Sequence, residues 1–558
     1  MATSLSAQTA RKRAEPAAQP ARARQPQDLA GLRRGGTWLP AFAGSLLLYA
    51  AFPPLDWWPL SWVAPVFWLA IVRPRELPGR SGYVALWAAG FTYWFLVLHW
   101  LRLPHPTTII GWFALSMYLA IYLPAFVAIS RVAVHRVRMP LIMAAPIVWA
   151  GLELAQAHFL TGFNMAALAH SQWRWLPLIQ IAELAGSYAV SALVIFVAAC
   201  LASCLPLDGH GWRRWPLLPA AAAVIGALVY GYVRLDHPPG KPGPTIALIQ
   251  GSIDTELKHD PVKQRQIYPH YLGLSERAVK ESPKLDLIVW PETMYRDKLL
   301  SCTDDAVLPA TWQTTLEQIR DEVPWREELV GRLARELDKP LLLGIDYLQL
   351  GPNGLNYFNS ALFVSREGAL GPRYDKRHPV PFGEFMPLAR RFAWLEEISP
   401  IGAGIDWGKD VPVFDVAGTK LAANICYESA MPHVVRDEVV ELREKGEEPD
   451  ILVNLTNDGW FRGSSELDLH LTCAVFRAVE CRKPFLIAAN TGFSAWIDSD
   501  GRIVKQGPRR QADVLIAQPL LDGRHSLYLA WGDWPAGLCL AAVGCLALVG
   551  LRAGLKGG

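Results

Sequence analysis

The sequence predicts a helical membrane bundle joined to an α/β domain with covered sheets, and three observations lead there. First, the 558-residue chain is 51% apolar and only 19% charged, whereas an ordinary soluble protein carries about 25% charged residues. Second, the apolar residues are gathered into runs long enough to cross a ~30 Å hydrocarbon core, near 37–53, 57–73, 83–101, 108–134, 140–158, 176–204, 215–234 and 531–552. Third, residues 241–528 change character. Short β-rich runs at 245–250, 285–290, 340–345, 421–426, 451–454 and 485–489 alternate there with amphipathic helical patterns, the mark of buried strands separated by helices.

In chain order, residues 1–36 carry Arg11, Lys12, Arg13, Arg22, Arg24, Arg33 and Arg34 against Glu15 and Asp28, and read as a disordered basic arm. The first two apolar runs are short and broken by Pro. Their close succession favours a polytopic chain over a cleaved signal peptide. With the arm in the cytoplasm, same-side loops hold Arg73, Arg75 and Arg80, then Arg131, Arg136 and Arg138, then Arg213 and Arg214, and finally Arg552 and Lys556. The opposite loops hold little beyond Arg102 and Arg174. Basic residues resist translocation, so this asymmetry predicts about eight crossings, with residues 37–236 supplying seven, 529–558 the eighth with a short cytoplasmic tail, and 241–528 outside the cytoplasm. Trp57, Trp58, Trp173, Trp175, Trp531 and Trp534 fall near run ends, where interfacial aromatics belong. Glu153 and Glu183 lie in or beside runs, where charge is expensive; each sits near a predicted interface, so a structural role is as good a reading as a functional one. Residues 297–330 are polar and charged with no strand pattern, and read as an inserted loop and helix.

Composition also excludes. The chain is neither disordered nor fibrous, and a net charge of +3 without a basic-aromatic stripe gives no nucleic-acid surface. Eight Cys in this length make no disulfide scaffold. No Walker motif or metal-ligand cluster is apparent, so no cofactor and no metal are expected.

Three strand-end features could carry chemistry: Glu292 after Trp290-Pro291, Lys376 with Glu384 in a Pro/Gly-broken loop, and Cys426 in Asn424-Ile425-Cys426-Tyr427-Glu428. A thiol, a carboxylate to take its proton and an ammonium facing a developing oxyanion meet the needs of acyl transfer. Each also has a plain reading. Cys426 could be a buried small hydrophobe, Glu292 an acid at a helix N-terminus, Lys376 part of a solvated basic face with Arg373 and Arg377, and Glu384 a turn residue.

The order Glu, Lys, Cys resembles the triad of the nitrilase superfamily. With the flanking apolar runs, the chain from about residue 37 onward is similar to the apolipoprotein N-acyltransferase family, the integral-membrane branch of that superfamily. The matching pieces are Gln250-Gly251, Trp290-Pro291-Glu292, Tyr357-Phe358-Asn359-Ser360, Tyr374-Asp375-Lys376, Pro381-Phe382-Gly383-Glu384, Ile425-Cys426-Tyr427-Glu428 and Asn457-Asp458-Gly459-Trp460-Phe461. In the apolar part, Leu160, Gly162-Phe163, Ser171-Gln172, Glu183 and Gly186-Ser187-Tyr188 also look like family segments. The resemblance implies a nitrilase-like αββα sandwich in 241–528, with Glu292 as general base, Lys376 as oxyanion donor and Cys426 as nucleophile. It further implies Glu384 and Glu428 as supporting carboxylates that orient Lys376 and the reacting groups, and Tyr427, Asn359 and Trp460 as lining residues.

The implied reaction moves a fatty acyl chain from a membrane phospholipid, through a Cys426 thioester, to the N-terminal amine of a lipoprotein's diacylglyceryl-cysteine. No cofactor is needed because an ester donor is already activated. The implied setting is a bacterial inner membrane, with the catalytic domain on the periplasmic side of a monomeric multi-pass protein. Departures from the family pattern stand at Asn164-Met165, His259, the insertion at 297–325 and Arg462-Gly463; they bear on lipid preference and lid geometry. Rival readings are a membrane-tethered amidohydrolase, which would not require the many spans, a catalytically silent scaffold, against which the intact triad argues, and a transporter, against which the lack of a midplane charge constellation argues.

Overall fold

Helices begin at Trp38. The computed structural model describes residues 36–555 apart from 77, 208–210, 239, 254–260, 310–311, 387–390 and 392–403. The basic arm short of Gly36, His259 and Lys556 lie outside the described residues. Apolar helices follow at Trp38–Ala50, Ala64–Val72, Gly79–Val97, Thr108–Leu119, Tyr122–His135, Leu141–His158, Ser187–Cys204 and Leu217–Leu235, and again at Trp534–Leu555. Among the described residues, five helical segments are long and apolar enough to cross a membrane: Thr108–His135, Leu141–Thr161, Ser187–Cys204, Leu217–Leu235 and Trp534–Arg552. Trp38–Ala50 and Trp58–Val72 are apolar but shorter.

Two runs read as single crossings are interrupted. The 108–134 run bends at Ala120 between two helices. The 176–204 run holds two short helices, Leu176–Ile179 and Ala182–Ala185, before the long one starts at Ser187. Gly186 makes that break at φ 72°, a conformation that side chains resist, and a Cβ there would lie 2.9 Å from the Tyr528 ring.

The loop arginines that suggested a common side do converge at one pole. Arg131 is buried and donates to the carbonyls of Ile71 (2.9 Å) and Val72 (3.1 Å), and Arg73 to those of Ala202 (2.7 Å) and Leu205 (2.8 Å). Each guanidinium satisfies carbonyls that a helix end leaves without partners.

Among its described residues the 241–528 region forms fourteen strands: β1 (Lys241–Pro242), β2 (Ile246–Gln250), β3 (Leu287–Cys302), β4 (Leu341–Gly351), β5 (Gly354–Val364), β6 (Leu370–Asp375), β7 (Phe414–Val416), β8 (Thr419–Ile425), β9 (Ile451–Thr456), β10 (Phe485–Ala489), β11 (Ala495–Ile497), β12 (Ile503–Gln506), β13 (Asp513–Ala517) and β14 (Leu520–Leu521). They build two six-stranded sheets, ordered β13-β2-β3-β4-β5-β6 and β12-β11-β10-β9-β8-β7, beside a β1-β14 pair. Both sheet centres are parallel: β2-β3-β4 in one and β8-β9-β10 in the other. Their facing sides meet through Leu248, Val289, Leu342 and Ala361 on one sheet and Ala423, Ile425, Val453 and Leu486 on the other. Helices Pro261–Glu281 and Leu316–Leu337 cover the outer face of the first sheet. Helices Pro432–Glu444 and Glu466–Cys481 cover the second. This is the expected αββα sandwich.

The reading of 297–330 is corrected in part. Its helix is present, opened by a capping box between Thr315 and Gln318, but its start is strand. β3 runs on to Cys302, where it pairs with Leu350 of β4. The extension packs on a small cluster of its own, Leu300, Ala306, Ile319 and Leu350, apart from the main sheet core.

Helix Glu466–Cys481 is buried along its whole length because it packs between the second sheet and the bundle. Leu469 and Cys473 join the bundle core, while Leu471, Val475 and Phe476 join the sheet core. Beside it Glu183 accepts from Arg482 and from Arg234 Nη2 (2.8 Å), and Glu480 accepts from the Ser187 N–H (2.7 Å). Glu183 therefore fastens the sandwich to the bundle. Glu153 accepts from Trp149 Nε1 (2.6 Å) and Ser191 Oγ (2.8 Å) inside the bundle.

Candidate active site

Glu292 is set by an irregularity in β3. Pro291 has no N–H for the ladder, the β3-β4 register shifts between Trp290 and Tyr295, and Thr293 takes φ 53°. The strand does not stop at Pro291, as its sequence suggests; it kinks and resumes. Gly344 of β4 makes room for the kink, since a Cβ there would lie 2.2 Å from the Pro291 carbonyl oxygen and 2.6 Å from Glu292 Cα.

Lys376 follows β6 at the other edge of the same sheet. Its N–H donates to the Asn359 carbonyl (2.8 Å), and its side chain is fully buried. Nζ donates to Glu384 Oε1 (2.7 Å) and lies 3.5 Å from Glu292 Oε1. Asn359 Nδ2 donates to the same Glu292 oxygen (2.7 Å), and the Val380 N–H holds the second Glu384 oxygen (2.8 Å). Burial lowers the Lys376 pKa, but Glu384 and Glu292 outweigh it and hold the ammonium well above the ordinary lysine range.

Cys426 ends β8 on the opposite sheet, at φ 53°. That left-handed position costs a non-glycine residue about 1–3 kcal/mol, so its surroundings must over-determine it. They do so through its carbonyl oxygen, which lies 3.1 Å from each of Asn454 Nδ2, Ser429 Oγ and His470 Nε2. Burial and Glu292 push the Cys426 thiol well above its usual pKa, against the pull of Lys376. The sulfur thus rests as a thiol and requires a base to attack.

Glu428 ties the two sheets together. Oε1 accepts from the Arg377 (2.7 Å) and His378 (2.8 Å) N–H groups beside Lys376, and Oε2 from the Ile425 N–H (2.6 Å) beside Cys426. Its contacts are to backbone and to the Tyr374 hydroxyl (3.0 Å), so it orients the Lys376 loop without touching the ammonium. The Tyr374 hydroxyl also lies 2.5 Å from Glu438 Oε1, whose carboxyl is raised well above the usual range by burial and by Glu428.

The structure brings Glu292, Asn359, Lys376 and Glu384 into one hydrogen-bonded cluster. Tyr427 stacks on His378, two residues beyond Lys376, at 6.2 Å between ring centroids. Its hydroxyl donates to the Gly162 carbonyl (3.3 Å) and its ring packs on the bundle core, which makes it a seam residue. Trp460 stays on the surface at 39% exposure, while its neighbour Phe461 sits edge-on to Trp100 of the bundle (4.8 Å). Asn454, Ser429, His470 and Glu438 escaped the sequence reading, and Tyr374 and Asp458 entered it only as parts of motifs. None stands at a strand end with an unusual neighbour, the signal that found the others.

One group among the described residues gathers three possible metal donors: Asp458, Glu466 and His470, whose atoms lie within 4.8 Å of one another. Both ring nitrogens of His470 face oxygens, Nδ1 at 3.0 Å from Asp458 Oδ1 and Nε2 at 3.1 Å from the Cys426 carbonyl. Ser429 Oγ also lies 2.8 Å from Nε2, so both ring nitrogens already have hydrogen-bond partners. The group is a hydrogen-bonded chain.

A thiol on one sheet and an ammonium-carboxylate cluster on the other define a carbon-nitrogen hydrolase sandwich carried on an apolar bundle. The family model for carbon-nitrogen hydrolase matches residues 245–522, and that for the apolipoprotein N-acyltransferase N-terminal domain matches residues 44–200. An apolipoprotein N-acyltransferase of Rhodopirellula baltica is 33% identical over 91% of this chain and 96% of its own length. One of Geobacter metallireducens is 32% identical over 92% and 95%. The chain belongs to the apolipoprotein N-acyltransferase family. These relatives do not favour the amidohydrolase or silent-scaffold readings. Among solved structures, an amidase from Nesterenkonia sp. aligns with a TM-score of 0.36 at 17% identity, covering 53% of this chain and 95% of the amidase.

Proposed function

We propose that the protein N-acylates apolipoproteins in two steps through Cys426, with a membrane phospholipid as acyl donor. In the first step Glu292 takes the thiol proton as sulfur attacks the ester carbonyl, and Lys376 stabilises the oxyanion. The ester C–O bond breaks, the proton passes from Glu292 to the departing alkoxide, and a lysophospholipid leaves. In the second step the α-amine of a diacylglyceryl-cysteine attacks the thioester. The C–N bond forms, the C–S bond breaks, and Glu292 carries the amine proton back to sulfur. Glu384 and Asn359 keep Lys376 and Glu292 oriented, Glu428 holds the two loops in register, and Trp460 rims the entrance.

One observation carries this reading: the turn that bears Cys426 continues into Tyr427 and Ala430, which pack into the apolar core of the bundle. The nucleophile therefore belongs at the membrane surface, where both lipid-anchored substrates reside and where confinement raises their effective concentration. The arginine pole of the bundle, with Arg73 and Arg131, suits the cytoplasmic side. That orientation gives the eight-span topology with the sandwich on the periplasmic side of a bacterial inner membrane, in a monomer.

The test is transfer of a labelled acyl chain from phospholipid to a synthetic diacylglyceryl lipopeptide by the purified protein in bilayer discs. Wild type should yield an amide-linked product and a lysophospholipid in equal amounts, and Cys426→Ala neither. Product from Cys426→Ala, or release of free fatty acid as the main wild-type product, would contradict the reading.

A further inference from the structure

We propose that His470, anchored at Nδ1 by Asp458, is a positioning residue for this acyl transfer: its Nε2–H is one of three donors that lock the Cys426 carbonyl and so hold the nucleophile in its left-handed conformation. The inference rests on the reading of Cys426 as the acylated residue and adds how that residue is kept in place.

The hydrogen-bond inventory leads to it. A backbone carbonyl can only accept, so the nitrogen 3.1 Å from the Cys426 oxygen serves it when that nitrogen carries a proton. Asp458 Oδ1 already accepts from Thr456 Oγ1 (2.9 Å), and the nitrogen 3.0 Å away must donate to it as well. Ser429 Oγ lies 2.8 Å from Nε2 and donates its own proton to the Cys426 carbonyl. The doubly protonated ring serves Asp458 and the Cys426 carbonyl together, whereas a neutral ring with its proton on Nδ1 would accept from Ser429 Oγ and leave that carbonyl with fewer donors. Burial opposes that charge, but Asp458, the Cys426 carbonyl and Glu292 together raise the His470 pKa above its ordinary value. Glu466 Oε1 lies 3.9 Å from Nδ1. Burial and the charges of Asp458 and Asp468 push Glu466 well above the usual carboxyl range. The titratable groups facing the imidazolium are thus Asp458, Glu466, Cys426 and Glu292.

Asn454 reaches the carbonyl from β9 and Ser429 from the same turn as Cys426, whereas His470 reaches it from the helix wedged between sheet and bundle. Of the three donors, only His470 can lose its proton in the physiological range. As pH rises through its raised pKa the ring becomes neutral, one of its two contacts must fail, and the Cys426 turn loosens. Acylation should therefore carry an alkaline limb that belongs to His470.

The experiment uses the full-length protein in bilayer discs with phosphatidylethanolamine vesicles as donor, and follows the acyl-thioester on Cys426 by mass spectrometry across pH 6 to 10. Formation of that thioester by wild type tests the underlying reading; the comparison of variants tests the inference. His470→Ala should slow acylation ~100-fold, the scale of a small misplacement of a reacting group, through kcat with KM little changed. His470→Gln, which keeps a neutral N–H donor, should recover to within ~10-fold of wild type and lack the alkaline limb. Because Gln keeps a donor at the same place, its pH profile decides the matter even if His470→Ala fails to fold. The proposal is overturned if His470→Gln keeps the wild-type alkaline limb, or if folded His470→Ala acylates at the wild-type rate. It is equally overturned if the purified protein carries a stoichiometric metal ion that His470→Ala loses, since a liganded ring nitrogen cannot donate.

Discussion

The two halves of the candidate site are held by different means. On the first sheet, Glu292, Lys376 and Glu384 hold one another by charge, with Nζ donating 2.7 Å to Glu384 Oε1 and lying 3.5 Å from Glu292 Oε1. On the second sheet, Cys426 carries no charge at rest and is held through its backbone, by three donors on its carbonyl. The contrast teaches a division of labour. Charges placed on the reacting sulfur itself would fix its protonation, so the sulfur half is positioned through groups that do not react, while the ammonium half keeps its charges and directs them at the space between the sheets.

Substitutions that break this contrast should rank accordingly. Cys426→Ala should abolish lipopeptide acylation in a folded, membrane-inserted protein, and Cys426→Ser should be nearly as inactive because an alcohol is far harder to ionise than a thiol; product yield from purified protein measures both. Lys376→Met removes the oxyanion donor, at ~10²–10³-fold in rate, and leaves Glu292 and Glu384 facing each other in a buried site, at about 3–5 kcal/mol of stability, read by single-turnover kinetics and thermal unfolding. Glu292→Gln should slow acylation by ~10²–10⁴-fold, the range for a lost general base, without that stability loss.

Two smaller effects sharpen the comparison. Glu438 meets Glu428 across Tyr374 at the junction of the halves, and its pKa is raised above the ordinary 4.5. A raised folded-state pKa means that folding binds a proton, so its contribution to stability is full below about 4.5 and falls as pH rises through the folded value. Glu438→Gln should flatten that decline in a pH series of unfolding midpoints. Tyr427→Phe removes a single bond to the Gly162 carbonyl and should cost at most about 1 kcal/mol, with activity near wild type; a large loss of activity would mean that Tyr427 touches substrate.

Legibility in the sequence followed the same divide. Glu292 and Cys426 were readable because each stands where an apolar strand run ends, Lys376 because it sits in a Pro/Gly-broken loop and completes the order Glu, Lys, Cys, and the parallel centres of both sheets were readable as continuous apolar stretches. β5, β6 and β11 to β13 were not, since their residues carry mixed polarity. The break at Gly186 was hidden because glycine is common in apolar helices and only its φ reveals the turn. His470 could not be found at all. It is an interior residue of an amphipathic helix, twelve positions from Asp458 and forty-four from Cys426, and its role exists only once the sheet, the turn and the bundle enclose that helix.

The central claim is that the sulfur of Cys426 carries the acyl chain between two lipid-anchored substrates. Peptide-resolved mass spectrometry of wild-type protein incubated with phospholipid and no acceptor tests it most directly. A hydroxylamine-labile fatty acyl adduct should appear on Cys426 and disappear when diacylglyceryl lipopeptide is added. An adduct on another residue, or acyl transfer with Cys426 never modified, would contradict the account.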